Sequence, residues 1–233
     1  MASEIKQGTL ELVNHLPILQ VITPMLIAPI LVVLNNKTLS WMLSLLGALA
    51  CLFISILLIQ AVSDGSILTY YLGGWVPPIG IEYRIDAANA ILLFLISIIS
   101  AIVLIFSYSS LHAEIPEEKH TLFYSCFLLC LTGLLGVVAT ADIFNVFVFL
   151  EISSLSTYVL VAQGAYLDRR ALSASFNYLI MGTIGATFFV IGIGYIYMAT
   201  GSLNMMDIAE RVSQLGDNRT IQAGFAFIVV GMG

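Results

Sequence analysis

Three side chains on one helical face carry the chemistry this sequence offers: Glu151, Ser154 and Tyr158, spaced i, i+3 and i+7. They lie in "IFNVFVFLEISSLSTYVLVA", Ile143 to Ala162, where Glu151 is the single formally charged residue. Glu151 falls on the order of 13 Å into that stretch at the helical rise of about 1.5 Å per residue. An acidic group at the centre of a membrane helix costs roughly 2.5–3.5 kcal/mol on insertion. A carboxyl, a hydroxyl and a phenol in one row can line a hydrated path that hands protons along, with Phe144, Phe147 and Val148 on the other side. The plainer alternative is a protonated glutamic acid hydrogen-bonded to a neighbouring helix. Ionisable groups inside membranes mark ion pathways by default, so the path is the expectation carried forward. Asp142, at the junction of two apolar stretches, is either a proton acceptor at the mouth of that path or a helix N-cap.

Other clusters promise less. His112, Glu114, Glu117, Glu118, Lys119 and His120 share one charged loop, but without recurring ligand spacing they read as a solvated connection rather than a metal site. Cys126 and Cys130, at i and i+4, read as small core residues, because a soft-metal site would need two more ligands at that depth. Asp168, Arg169 and Arg170 read as topology determinants. Neither HExxH, GxSxG, a P-loop nor GxGxxG occurs. No catalytic residues, cofactors or metals are therefore expected in this chain.

The elements that must position Glu151 are membrane helices. Of 233 residues, 60% are hydrophobic and 9% charged, far below the roughly 25% charged residues of soluble domains. The net charge of −6 comes with no basic run that could track nucleic-acid phosphates. A helix needs about 20 apolar residues to cross a bilayer. Six stretches qualify: Leu16–Leu34, Leu39–Val62, Ala87–Tyr108, Leu122–Ala141, Ile143–Ala162 and Ser173–Met198. A seventh begins at Ile221 and runs to Gly233. The fold class is thus all-α, a polytopic bundle of six spans and the start of a seventh. Residues 1–15 form a polar N-terminal segment without the basic region or cleavage site of a signal peptide. Pro17, Pro24 and Pro29 predict a kinked first helix whose freed carbonyls find other donors.

Between the second and third spans, Tyr70–Asp86 reads as an ordered Gly/Pro/Trp loop with a short hairpin, its aromatic residues suited to the headgroup level. Met205, Met206, Ile208, Ala209 and Val212 fall opposite Asp207 and Arg211, which predicts a short interfacial helix after the sixth span. Lys37, Lys119, Arg169 and Arg170 face one side and Lys6, Arg84, Arg211 and Arg219 the other, so the positive-inside rule does not orient the bundle. The clustered Arg169–Arg170 pair favours the cytoplasm for its loop. Gly133, Gly136, Gly182, Gly185 and Ala186 predict close helix approach.

Three segments resemble one family. "LGGWVPPIGIEYRIDAANAILLF" (Leu72 to Phe94), "ADIFNVFVFLEISSLSTYVLVA" (Ala141 to Ala162) and "SASFNYLIMGTIGATFFVIGIGYIYMATGSLNMMDIA" (Ser173 to Ala209) are similar, in that order, to antiporter-like proton-channel subunits. These occur in NADH:quinone oxidoreductase, membrane-bound hydrogenases and Mrp-type sodium/proton antiporters. "FNVFVFLEISSLSTY" looks closest to the D-type subunit of the Mrp antiporters. The resemblance implies a bundle of about fourteen helices in two inverted repeats. It also implies an essential fifth-helix glutamate, Glu151 by position, paired with a lysine on a broken seventh helix. Residues 16–141 would be the first four helices and 142–233 the first part of the channel domain, cut off within helix 7, so that the chain reads as a fragment.

The leading reading is a multi-pass inner-membrane subunit, or its N-terminal part, that conducts protons in a multi-subunit Mrp-type antiporter, with or without exchange for sodium. Its partners would be other membrane subunits and the bilayer. The alternative is the equivalent proton-pumping subunit of a redox-driven NADH:quinone oxidoreductase or hydrogenase complex. A third reading is a truncated structural or assembly element with Glu151 merely buried.

Overall fold

A computed structural model describes residues 2–233, with side chains from Asn14 onward; the polar segment read at 1–15 lies, apart from Asn14 and His15, outside the described side chains. Eight α-helices and one hairpin follow in the order α1 (Ala2–Leu34), α2 (Lys37–Val62), β1 (Leu68–Tyr71), β2 (Glu82–Ile85), α3 (Ala87–Glu114), α4 (His120–Ala139), α5 (Ile143–Gln163), α6 (Arg170–Thr200), α7 (Met205–Leu215) and α8 (Arg219–Met232). Helices α1 to α6 are each long and apolar enough to cross a membrane, and α8 is a shorter apolar helix. Large apolar side chains such as Phe53, Ile105 and Phe106 point outward, as expected where lipid replaces water around a bundle. The chain is a multi-pass integral membrane protein.

The turns follow from local chemistry. Asn36, Asp86, Asp142, Asn204 and Asn218 each cap a helix N-terminus by accepting a backbone N–H. Gly201 ends α6 in the left-handed conformation, φ 68°, that favours glycine. Helix α1 continues through all three prolines. Pro24 removes the N–H that would bond the Gln20 carbonyl, and the Cys51 thiol of α2 donates to that oxygen instead, at 3.6 Å.

Helices α1 to α4 pack around a core of Leu31, Leu58, Leu93, Leu104, Leu128 and Leu135, all at most 2% exposed. Helix α5 lies on α4, α6 on α5, and α8 on α6. Several boundaries shift by a few residues from the sequence reading, α4 ending at Ala139 rather than Ala141, and two shifts change the packing. The third apolar run stops at Tyr108, yet α3 continues to Glu114 because Leu111 is buried against the bundle. The charged loop therefore contracts to a connection at 115–119. The hairpin is present, but its first strand starts at Leu68, pairing Leu68 with Ile85 and Tyr71 with Glu82.

The hairpin also fixes the break between α4 and α5. Ala141 N–H donates to the Glu82 carbonyl at 2.8 Å, and Tyr83 bridges Thr140. On the other side, Ile143 N–H donates to Leu203 O and Met205 N–H to Ala141 O, both at 2.9 Å. Segments around residues 82, 141 and 204 thus lie side by side, and the α5 N-terminus is clamped between hairpin and α7.

Candidate functional site

Small residues on α4 and α6 decide how closely α5 can sit, and so where Glu151 points. A Cβ added to Gly133 would lie 2.6 Å from the Phe149 carbonyl oxygen, and one added to Gly136 would enter the Phe149 ring. Cys130 completes this face, its sulfur 3.4 Å from the Thr157 hydroxyl and 3.6 Å from that of Ser153. On α6, glycines meet glycines of α8: a Cβ on Gly185 would lie 2.7 Å from Gly231 O, and one on Gly192 2.6 Å from Gly224 O. The sequence reading points to Gly133, Gly136, Gly182 and Gly185 but misses Gly192, Gly224 and Gly231. The matching seven-residue spacing on the two helices is the available signal.

Between α5, α6 and the end of α8 lies a cavity of about 290 Å³. Phe147, Glu151 and Ser154 line it from α5, Gly182 and Gly185 from α6, and Met232 from α8. Among the described residues, no side chain hydrogen-bonds or ion-pairs with the Glu151 carboxyl.

Tyr158 continues the row but stands behind the cavity rather than in it. It is buried, its hydroxyl occupies the notch left by the absent side chain of Gly182, and its ring packs edge-on to Tyr178 at 4.9 Å. The Ser175 hydroxyl of α6 donates to the Tyr158 carbonyl at 2.7 Å, which locks the two helices at this level. The phenol is not itself a lining group, but it borders two residues that are, Ser154 and Gly182.

Asp142 is set apart, at the clamped end of α5. Its Oδ1 accepts the Asn145 N–H at 2.7 Å, so it caps the helix. A polar knot surrounds it. Asn204 donates its side-chain N–H to the buried Glu82 carboxylate at 2.7 Å, and its Oδ1 accepts the N–H groups of Met206 and Asp207. Asn145 bonds Thr140 at 3.1 Å, and burial pushes the Tyr83 phenol up to about 12 against a hydrogen bond from Asn145. Arg211 holds the Asp207 carboxyl below its ordinary range and reaches the Thr200 carbonyl at 2.8 Å. The roles of Glu82 and Asn204 are not visible in the sequence, because 122 positions separate them.

Burial pushes the Asp142 carboxyl above the ordinary carboxylate range, against the N–H groups of Asn145 and Phe144 that favour its charged form. A carboxyl raised in the folded state stabilises the fold when protonated. That contribution is complete at acid pH and is lost as pH rises through the raised value. Asp142→Asn keeps a capping oxygen but has no proton to lose, so its unfolding temperature should vary less than wild type from about pH 4 upward. Asp142→Ala lacks the capping oxygen as well and should lie about 1 kcal/mol below Asp142→Asn at every pH. Melting curves in detergent across pH check both, and parallel wild-type and Asn profiles would contradict the assignment.

The apolar helix bundle thus holds, in a cavity between three of its helices, a carboxyl without a side-chain partner among the described residues. Residues 140–233 match the family described as NADH:quinone oxidoreductase/Mrp antiporter, transmembrane. The chain is 39% identical to the N subunit of the NADH-quinone oxidoreductase of Desulforudis audaxviator, over 94% of its own length and 44% of that protein. It is 30% identical to the D-type subunit of the Na(+)/H(+) antiporter of Alkalihalophilus pseudofirmus, over 87% of its length and 40% of that protein. Among solved structures, a chain of the membrane-bound sulfane sulfur reductase, an archaeal respiratory membrane complex, superposes with TM-score 0.82 at 32% identity, covering 95% of this chain and 44% of that one. The chain belongs to the antiporter-like membrane-subunit family of NADH:quinone oxidoreductases and Mrp antiporters, and it spans less than half the length of these relatives.

Proposed function

We propose that the chain forms the front part of a proton-conducting subunit, and that Glu151 takes up and releases the proton at mid-membrane. The observation that carries this reading is a carboxyl without a partner among the described residues, lining a cavity beside a serine hydroxyl. Ser154 orders water next to Glu151, and Tyr158 backs the cavity wall through Gly182. Asp142 belongs to the N-terminal end of the same helix, where it caps α5 and holds its register.

Coupling needs no covalent step. A cation that approaches Glu151 releases its proton, and withdrawal of that cation lets the proton return. Each tenfold change in proton affinity takes about 1.4 kcal/mol, which a modest change in charge separation in a low-dielectric cavity supplies. Residues 142–233 make up the first part of the channel domain in this reading, and other membrane subunits are its partners.

The leading setting is an Mrp-type antiporter, in which an ion gradient drives the exchange. The redox-driven setting is the second reading, favoured by the higher identity to the oxidoreductase relative, 39% against 30%. Proton uptake by liposomes holding the assembled complex, with and without Glu151→Gln, tests the shared core of both. Driving the same liposomes with a sodium gradient or with quinone reduction separates them.

A further inference from the structure

A second cavity, of about 160 Å³, sits where the start of α2, the end of α3 and the start of α4 converge. It shares no lining residue with the Glu151 cavity. Lys37, Thr38 and Trp41 line it from α2, Tyr108 and His112 from α3, and the buried His120 from α4. All are at helix ends, so the cavity lies at the level of the lipid headgroups, and Trp41 and Tyr108, with ring centroids 4.7 Å apart, form an aromatic edge there. Its rim is open: Tyr108 is 47% exposed and the Lys37 side chain 44%.

The hydrogen-bond inventory is mixed in a specific way. The Trp41 indole N–H is already engaged by Leu104 O at 2.9 Å. The Lys37 ammonium and the Thr38 and Tyr108 hydroxyls supply donors. His112 Nδ1 bonds the Tyr108 carbonyl at 2.7 Å and His120 Nε2 the Ile115 carbonyl at 2.9 Å. Carbonyls only accept, so those nitrogens carry the protons, and in the neutral ring His112 Nε2 is an acceptor. Glu117, paired with Lys37 at the rim, adds a second acceptor. A plain anion would leave the His112 acceptor unmatched, and a metal cation would be repelled by Lys37.

We propose that this cavity binds a phosphate ester bearing a hydrogen-bond donor of its own, supplied by the headgroup of a membrane phospholipid such as phosphatidylethanolamine or phosphatidylglycerol. The phosphate oxygens lie against Lys37, Thr38 and Tyr108, and the ammonium or glycerol hydroxyls against His112 Nε2 and Glu117. The volume equals that of about five waters, the scale of a phosphate with a short polar arm. Acyl chains then descend along Leu39, Met42 and Leu46 of α2 and Ile105 and Ile102 of α3, all 38–60% exposed. Basic pockets between membrane helices commonly hold lipid headgroups.

The test is native mass spectrometry of the assembled complex, delipidated and then titrated with short-chain phosphatidylethanolamine. Lys37→Gln, Thr38→Val and the conservative Tyr108→Phe should each weaken one binding event about tenfold, with assembly unchanged in the Tyr108→Phe complex. Soluble O-phosphoethanolamine is the second arm: no competition at equal concentration supports the lipid source. Equal competition overturns that source and leaves a soluble phosphate ester as the occupant. Wild-type lipid affinity in all three variants overturns the site, as does an assembled complex in which a neighbouring protein fills it.

Discussion

Glu151→Gln in the assembled complex should cut proton translocation by about 100-fold or more, the scale of losing a positioned proton acceptor. Glutamine preserves the length, shape and polarity of the side chain, so the cavity and the α5 packing survive while the exchangeable proton is lost. Glu151→Asp keeps that proton but draws it back by one methylene, so it should retain part of the rate. This ordering, Glu above Asp and Asp well above Gln, separates a carrier from packing glue. If Glu151 merely bonded a neighbouring helix, Gln would serve better than Asp. The measurement is the initial rate of acidification in liposomes, with complex assembly checked on native gels. A Gln variant that translocates at the wild-type rate would falsify the assignment, and the structural reading of the chain would then take its place.

Gly133→Val should be the most damaging packing change. The added Cβ would stand 2.6 Å from the Phe149 carbonyl oxygen and 2.7 Å from the Ser153 nitrogen, both main-chain atoms that cannot rotate away. Relief requires α4 and α5 to separate, and overpacking of this kind costs about 1–3 kcal/mol or more. Even Gly133→Ala carries the offending atom, so it should destabilise too, though less. Because α5 carries Glu151, separation also moves the carboxyl relative to α6, and translocation should fall with assembly. Gly194, whose Cβ would meet nothing within 4 Å, is the control: Gly194→Ala should melt like wild type. Thermal stability of the purified complexes reads the series directly. Wild-type melting of both Gly133 variants would show that the two helices are not in contact at this level.

Much of the scaffold was legible in the residues. Long apolar runs between polar turns located all six spans, because the cost of unpaired backbone in lipid leaves helices as the only continuous solution for such runs. Asp142 was legible as a possible helix cap, and it performs that role, whereas the caps at Asn36, Asp86, Asn204 and Asn218 emerge only in the structure. The short helix after the sixth span was also legible, since its apolar residues keep to one side. The end of α3 was not, because His112 and Ser110 look like loop residues until Leu111 is seen buried beneath them.

The sequence by itself determined that a carboxyl sits at the middle of a membrane helix with Ser154 on its face, since both follow from helical geometry and the cost of charge in lipid. Only the tertiary structure decided that the end of α8 and the glycines of α6 build a cavity around that carboxyl. It alone seated the Tyr158 hydroxyl against Gly182 and tied Asp142 into a knot with Glu82 and Asn204. The physical reason lies in the solvent. In water, hydrophobic periodicity tells which face of a helix is buried, but in lipid both faces are apolar and the pattern goes flat. Which helices touch then depends on where small residues on separate helices happen to match, and that match exists only once the chain has folded.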